Sequence, residues 1–170
     1  MKNQGVVEHM RSPAFRFISS LLLVLALSQP VFARPAPDFT LPTAGADVNL
    51  QAYRGKVVYL DFWASWCIPC RNSFPWMNAM HQRHADQGLV VLAVNVDRDA
   101  QAVRHFLDKY PANFTVAYDP EGHIAELYHL KGMPTSYLID RQGHIVMSHV
   151  GFRQGDAASL EQQIEQLLSQ

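Results

Sequence analysis

Two continuous apolar runs dominate the pattern of hydrophobic and polar positions along the chain. They are Val57–Trp63, with the sequence VVYLDFW, and Leu89–Val96, with the sequence LVVLAVNV. Both runs contain several β-branched or aromatic residues, and neither alternates regularly with polar positions. Such runs are typical of strands that are buried on both faces of a sheet. We therefore predict two central strands at these positions.

Segments with helical periodicity follow these two strands. The pattern predicts a long helix over residues 67–87, which contains Pro75 and should be kinked by it. A second helix is predicted over Asp99–Tyr110. Apolar positions within 160–168 mark a last amphipathic helix, with Asp156 as its N-cap.

Shorter elements complete the pattern. A strand is predicted over Phe114–Tyr118, followed by a short helix over 122–130. Two further strands, Thr135–Asp140 and His144–Val150, are joined by RQG, which predicts a hairpin with Gly143 in the turn. The resulting order β-α-β-α-β-α-β-β-α indicates an α/β protein with one mixed sheet and helices on both faces.

The first 33 residues have the pattern of a secretory signal peptide. Arg11 and Arg16 precede a ten-residue apolar core, Ile18–Leu27, and small residues lead to a cleavage site after Ala33. The core is shorter than the roughly 20 residues that a membrane-spanning helix needs. An uncleaved membrane anchor has a similar pattern and stays open as the alternative.

The remaining residues, 34–170, are sufficient for one domain with a hydrophobic core. This part has 11 Lys and Arg against 14 Asp and Glu, without a basic cluster or stripe, so no nucleic-acid partner is expected. The Pro-rich stretch Arg34–Pro42 is predicted to be an extended lead-in.

The only two cysteines, Cys67 and Cys70, lie three positions apart within DFWASWCIPC. A structural disulfide here would close a very short loop and would therefore stabilise little. A zinc site needs about four ligands, and no histidine has a spacing that ties it to the cysteines. His81 and His84 lie one helical turn apart and are interpreted as solvated surface residues. No metal site is predicted.

A redox role fits the local pattern better. The predicted strand ends at Trp63 and the predicted helix begins near Cys67, where the helix dipole and unpaired N–H groups favour a thiolate. We expect Cys67 to be exposed and nucleophilic, and Cys70 to be more buried and to resolve the mixed disulfide that Cys67 forms. Pro69 would lie in the first helical turn, where its missing N–H costs little.

These motifs resemble the thioredoxin superfamily, and within it the exported TlpA/ResA-type thiol:disulfide oxidoreductases. The resemblance covers about Pro37–Leu168. It rests on the segments PDFTL, LQAYRGKVVYLDFWASWC, NVDRDAQAVRHFLDKY, FTVAYDPEGHIAELYHL and GMPTSYLID. It implies a thioredoxin-like fold, in which a central mixed sheet is flanked by helices and a short α/β insertion precedes the cis-proline strand.

The resemblance also implies roles for individual residues. Cys67 and Cys70 match the redox pair, and Pro134 matches the cis-proline, so the bond from Met133 should be cis and lie against the disulfide. The backbone beside that proline would pair with a substrate chain. The implied substrate-binding residues are Trp66, Ile68, Pro69, Met133 and Pro134, for which simple packing is the alternative.

Asp61 is the one charged residue in the first apolar run. It matches the buried acid of thioredoxin, which handles the proton of the resolving cysteine. Burial should raise its pKa and suit it to acid–base catalysis. The alternative is a structural aspartate bonded to Lys56 or to a serine.

The resemblance implies a periplasmic enzyme without a cofactor that exchanges disulfides with protein substrates. A reducing direction is favoured, because the insertion is short and unlike that of DsbA-type oxidases. An exported reductant would need a membrane-embedded electron donor. Ser73 stands where members that act on apocytochrome c often have Glu, which weakens that particular assignment.

Four other functions stay open. The first is a disulfide-forming oxidase of the same fold. The second is a peroxiredoxin-type peroxidase, although Ala64 stands where its motif has Thr. The third is a Cu(I)-handling protein, since two thiolates can hold that ion. The fourth is a binding or chaperone module with an inactive disulfide.

Overall fold

The computed structural model of the protein describes residues 34–170. The predicted signal peptide, residues 1–33, lies outside the described residues, and its cleavage stays a prediction. Among the described residues, no helix combines the length and the apolar character that crossing a bilayer requires.

Twelve helices and strands of this part of the chain position the candidate site. In chain order they are β1 (Arg34–Pro35), β2 (Thr40–Leu41), β3 (Val48–Asn49), β4 (Val57–Trp63), α1 (Cys70–His84), β5 (Leu89–Asn95), α2 (Ala100–Lys109), β6 (Thr115–Tyr118), α3 (His123–Leu127), β7 (Thr135–Ile139), β8 (His144–Val150) and α4 (Ala157–Leu168). Short 3₁₀ turns at Leu50–Tyr53 and Ala85–Gln87 join some of them.

A six-stranded mixed sheet forms the centre of the fold, with the strand order β1-β8-β7-β4-β5-β6. β4 runs parallel to β5, and β5 runs parallel to β6. β7 lies antiparallel to both β4 and β8, and β1 pairs with the outer edge of β8. The predicted mixed sheet and its thioredoxin-like arrangement are thereby confirmed, with α2, β6 and α3 inserted before β7.

Every residue of β4 is buried, as its continuous apolar sequence predicts. Successive side chains of a strand point to opposite faces of the sheet. Tyr59 and Trp63 pack with Phe74 and Met77 of α1 and with Ile164 of α4. The intervening residues pack on the opposite face in a second core cluster. Its members in β4 are Val58, Leu60 and Phe62, and its other members include Phe39, Tyr128 and Tyr137.

α1 begins later than the sequence pattern predicts. It starts at Cys70 rather than at Cys67, with Pro69 in helical conformation at the N-cap position. The backbone N–H of Cys70 donates to Cys67 Sγ at 3.2 Å instead of to a backbone carbonyl. The Cys67 sulfur thus takes the acceptor position that a backbone carbonyl would hold in a preceding helical turn. Cys67 therefore lies outside α1.

The N-terminal lead-in is more ordered than the Pro-rich composition predicts. β1 lies within it as an edge strand, and β2 pairs with β3 in a separate two-stranded sheet. Two-residue strands are too short to leave a recognisable periodic signal, so sequence reasoning missed all three.

Asp156 is the N-cap residue of α4, as predicted. Its side chain, however, makes none of the cap hydrogen bonds that an aspartate at this position usually makes. Its carboxylate instead accepts from the backbone N–H of Arg153 at 2.8 Å and lies 3.3 Å from His149 Nε2. The Arg153 bond is the main reason why the pKa of Asp156 lies below its usual value.

Candidate active site

The site lies at the carboxyl end of β4, where the chain turns into α1. Cys67 and Cys70 form a disulfide with an S–S distance of 2.02 Å and a Cα–Cα distance of 5.4 Å. The structure therefore shows the oxidised state of the pair. The two cysteines are placed by a buried strand behind them and a helix that starts at the second one.

Backbone N–H groups at the start of α1 create a favourable environment for negative charge. The N–H of Cys70 points at Cys67 Sγ, and the helix dipole adds to its effect. Both interactions favour the thiolate of Cys67 over its thiol once the disulfide is reduced. A thiolate is the form that attacks a disulfide.

The predicted exposure of Cys67 is wrong for the oxidised state. Cys67 is only 3% exposed, and Cys70 is 0% exposed. Cys70 is the more buried of the two, as predicted, but Cys67 is itself almost completely buried. The reason is that both cysteines are part of the core cluster that contains Trp63 and Phe74. Only a small part of Cys67 is therefore accessible to an attacking group in this state.

The residues on either side of Cys67 are exposed instead. Trp66 is 65% exposed and Ile68 is 67% exposed, which is unusual for large apolar side chains. Pro69 follows at intermediate exposure. Together they surround Cys67 with an apolar surface. Exposed apolar patches of this kind are typical of interaction sites.

The Met133–Pro134 peptide bond is cis, as the resemblance implies. Met133 is partly buried against the core cluster that contains both cysteines. The carbonyl of Pro134 accepts from the backbone N–H of Gly151 at 2.7 Å, which ties the start of β7 to the end of β8. Thr135 Oγ1 donates to the carbonyl of Gly132 at 2.8 Å and closes the loop around the cis bond.

Asp61 is completely buried in the middle of β4. The β4–β7 register places it opposite Ser136, whose Oγ donates to Asp61 Oδ1 at 2.7 Å. Tyr59 donates its hydroxyl to Ser136 Oγ at 2.8 Å. Asp61 Oδ2 has no hydrogen-bond partner among the described residues. Asp61 lies two positions from both Tyr59 and Trp63, so the three side chains point to the same face of the sheet. This is the face that α1 covers.

Burial raises the pKa of Asp61 to about 7, and the Ser136 hydrogen bond opposes this shift without cancelling it. Burial also raises the pKa of Tyr59 well above its usual value, so its hydroxyl stays protonated and can donate. A carboxyl group with a pKa near neutrality can both accept and release a proton under ordinary conditions. The serine partner agrees with either interpretation of Asp61, structural or catalytic.

The loop before Cys67 is held by a residue that sequence reasoning missed. Asp97 accepts from the backbone N–H of Ser65 at 2.7 Å and from Ser65 Oγ at 3.0 Å. Asn95 Nδ2 donates to the same carboxylate at 2.8 Å. The position of Asp97 in the sequence could have indicated this role, because Asp97 follows β5. The carboxyl ends of the parallel strands β4 and β5 lie at the same edge of the sheet.

Ser73 lies in the first turn of α1 and is buried. Its hydroxyl donates to the carbonyl of Cys70 at 3.2 Å. A glutamate at this position would place a carboxylate beside the disulfide, and serine does not. The start of α1, with the N–H of Cys70, therefore remains the feature that favours negative charge on Cys67.

Comparisons with known proteins agree with this geometry. ResA of Bacillus thuringiensis subsp. konkukian, named as a thiol-disulfide oxidoreductase, is 34% identical over 119 residues, which is 69% of each chain. ResA of Geobacillus thermodenitrificans is 33% identical over 143 residues, 76% of this chain and 82% of that protein. The crystal structure of a Chlorobium tepidum protein assigned as the thiol:disulfide interchange protein DsbE superposes with a TM-score of 0.78 and 53% identity, covering 80% of this chain and 96% of that chain.

The fold, the cysteine pair and these relatives define a thioredoxin-like thiol-disulfide oxidoreductase. The model of the AhpC/TSA family matches residues 32–148, and the chain belongs to that family. The predicted resemblance to ResA-type proteins is confirmed.

Proposed function

We propose that the protein is an exported enzyme that reduces disulfides in periplasmic proteins. The observation that carries this proposal is the Cys67–Cys70 pair at the start of α1, with the Cys70 N–H directed at Cys67 Sγ. That geometry supports Cys67 as the nucleophile and Cys70 as the resolving residue.

The first step takes place in the reduced enzyme. The Cys67 thiolate attacks one sulfur of a substrate disulfide, so that a bond between Cys67 and the substrate forms while the substrate S–S bond breaks. The departing substrate sulfur leaves as a thiolate and takes a proton from solvent. The hydrogen bond from Cys70 N–H favours the attacking thiolate before this step.

The second step closes the disulfide seen in the structure. The thiol of Cys70 gives up its proton and attacks Cys67 Sγ, which releases the second substrate sulfur as a thiolate. Two electrons have then passed from the enzyme to the substrate. We assign the acceptance of the Cys70 proton to Asp61, because its pKa of about 7 suits it to that task at neutral pH.

An apolar surface would receive the substrate chain. It consists of Trp66, Ile68, Pro69, Met133 and Pro134. Trp66 and Ile68 are exposed on both sides of the nearly buried Cys67. Backbone beside the cis bond would pair with an extended substrate segment by strand addition. Docking on this surface would bring the substrate sulfur next to the accessible part of Cys67.

The size of the insertion supports the reducing direction. Between β5 and β7 the chain adds α2, the short strand β6 and the five-residue α3. This is smaller than the large helical insertion that a DsbA-type oxidase carries. A reducing enzyme outside the cytoplasm must be recharged, and we assign that role to a membrane-embedded electron donor. Export itself rests on the signal-like sequence of residues 1–33.

The equilibrium redox potential of the pair tests this proposal. Dithiols of this fold range from about −270 mV in a reductant to about −120 mV in a strong oxidant. We expect a value near the reducing end, measured against glutathione or a thioredoxin couple by the fraction of alkylated cysteine. A value near the oxidising end would reverse the direction, and full turnover after Cys67→Ser would remove the enzyme assignment.

A further inference from the structure

A buried histidine at the far end of α1 has no role in the redox chemistry. His84 is the last residue of α1, and its side chain is only 7% exposed. Neither ring nitrogen has a hydrogen-bond partner among the described residues. This corrects the prediction that His84 is a solvated surface residue. An unsatisfied buried polar group destabilises the folded state, so a feature of this kind needs an explanation.

Two carboxylates of α4 lie in front of this imidazole. His84 Nε2 is 3.8 Å from Glu161 Oε1 and 4.0 Å from Glu165 Oε1. The three atoms all lie within 4.8 Å of one another. Glu161 and Glu165 are four residues apart on a helix, which places them on the same face, one turn from each other.

These separations are too long for hydrogen bonds and suit a shared ion. A charged imidazole paired with the carboxylates would be expected at about 2.7–2.9 Å. Ligand atoms around a tetrahedral zinc ion with bonds of 2.0–2.2 Å are about 3.4 Å apart. Moving each carboxylate oxygen to that distance from His84 Nε2 takes a shift of about 0.4–0.6 Å, and Glu165 is 57% exposed and free to make it.

The charges around the group also favour a cation. Glu161 forms an ion pair with Arg83, whose side chain is 54% exposed and lies on the solvent side. With a neutral imidazole, two carboxylates face one guanidinium, which leaves a net negative charge. Arg83 and His84 both face Glu161 Oε1, so binding a metal there requires Arg83 to move to Oε2, the second oxygen of the carboxylate.

We propose that His84, Glu161 and Glu165 form a binding site for a divalent transition metal ion, with Zn²⁺ as the best match. One imidazole and two carboxylates are a ligand set that zinc accepts, and three protein ligands leave a position for water. The metal would join the end of α1 to α4. This is a site of binding and stabilisation, and it is separate from the proposed disulfide reduction.

The position of the site allows a clean test. Cys70 begins α1 and His84 ends it, so the 15-residue helix puts about 20 Å between the disulfide and the histidine. The cysteines could themselves bind zinc when reduced. In the oxidised protein both sulfurs are in the disulfide, so thiolate binding is removed.

The experiment is a zinc titration of the full chain in its oxidised form, purified without a histidine tag, by isothermal titration calorimetry. We expect one Zn²⁺ per chain and a rise in the melting temperature with zinc. Glu165→Gln should weaken binding by at least about tenfold, as losses of metal-site partners commonly do. This exposed position keeps the fold intact, so the result does not depend on whether His84→Gln folds.

Matched changes away from the site complete the design. His105→Gln and Glu126→Gln replace an exposed histidine and an exposed glutamate on other helices. Both variants should bind zinc like the parent. The proposal is overturned if the oxidised parent shows no saturable binding in the micromolar range. It is equally overturned if Glu165→Gln binds as tightly as the parent.

Discussion

Asp61 is a carboxylic acid enclosed by the core of the protein, and its chemistry can be separated from its structural role. Asp61→Asn keeps the shape and the ability to accept from Ser136 Oγ, but it removes the proton acceptor. We expect release of the mixed disulfide to slow by about 100-fold, the lower end of what acid–base catalysis contributes. Acid quenching followed by mass spectrometry would show the mixed disulfide accumulating.

Asp86→Asn provides the control for this prediction, because Asp86 is an exposed carboxylate in the short 3₁₀ turn Ala85–Gln87 after α1. It should turn over a protein disulfide at the parent rate. Unchanged turnover of Asp61→Asn would show that Asp61 is a structural residue held by Ser136.

The same carboxyl group makes stability depend on pH. Its pKa is about 7 in the folded protein and about 3.9 in an unfolded chain, so the folded state binds the extra proton between these values. The free energy of unfolding should therefore fall as pH rises from about 4 to about 7, and the Asp61 contribution should be constant above that. Three pKa units correspond to about 4 kcal/mol, which is an upper value for this effect.

Urea denaturation of the oxidised parent and of Asp61→Asn at several pH values measures this contribution. The difference between the two should grow across the stated range in favour of the asparagine variant. Parallel pH profiles would mean that Asp61 titrates normally and that burial does not raise its pKa.

Individual residues were predicted from sequence to different degrees. The Cys67–Cys70 pair follows from its local motif, and the cis bond before Pro134 was implied by the family resemblance. The exposure of Cys67 was not predicted correctly, because it depends on how α1 and β4 enclose the sulfur after folding. The partner of Asp61 is Ser136, 75 positions away, and only the β4–β7 register reveals it.

At the scale of elements, the loop between β4 and α1 depends on the end of β5. Asp97→Ala would remove the acceptor for both the N–H and the Oγ of Ser65, two residues before Cys67. We expect a loss of about 1–3 kcal/mol in the free energy of unfolding, the cost of leaving a partly buried donor unpaired. The alkylation rate of reduced Cys67 should change as well, since the loop sets the position of its sulfur.

Asp108→Ala is the matched change, because Asp108 is an exposed aspartate of α2. Chemical denaturation and alkylation kinetics of the two variants should differ clearly. Equal stability and equal Cys67 reactivity in both would contradict the positioning role of Asp97.

Element types were predicted better than element ends. The predicted strand Val57–Trp63 agrees with β4, because a buried central strand has a continuous apolar sequence. The start of α1 was placed one turn too early, since the sulfur of Cys67 takes the N–H of Cys70. The two-residue strands were missed because sheet pairing, rather than their own sequence, defines them.

At the scale of the whole molecule, an aromatic cluster joins the elements that carry the site. Phe74 of α1 lies 4.7 Å from the ring centre of Trp63 in β4 and 4.9 Å from that of Phe106 in α2. Phe114, just before β6, adds a fourth ring at 5.5 Å. The position of the cysteines at the start of α1 therefore depends on packing that spans the sheet and two helices.

Phe74→Ala tests this dependence, because Phe74 is completely buried at the centre of the cluster. Truncation of a buried phenylalanine costs about 3–5 kcal/mol, a large part of the 5–15 kcal/mol that stabilises a typical domain. We expect the denaturation midpoint to fall steeply while unfolding stays a single transition, since the ring contacts β4 and α2 together. Val146→Ala, on the exposed side of β8, removes less apolar surface from a position that is 43% exposed and should change stability little. If both variants lost the same small amount, the cluster would not be what holds α1 and its disulfide against the sheet.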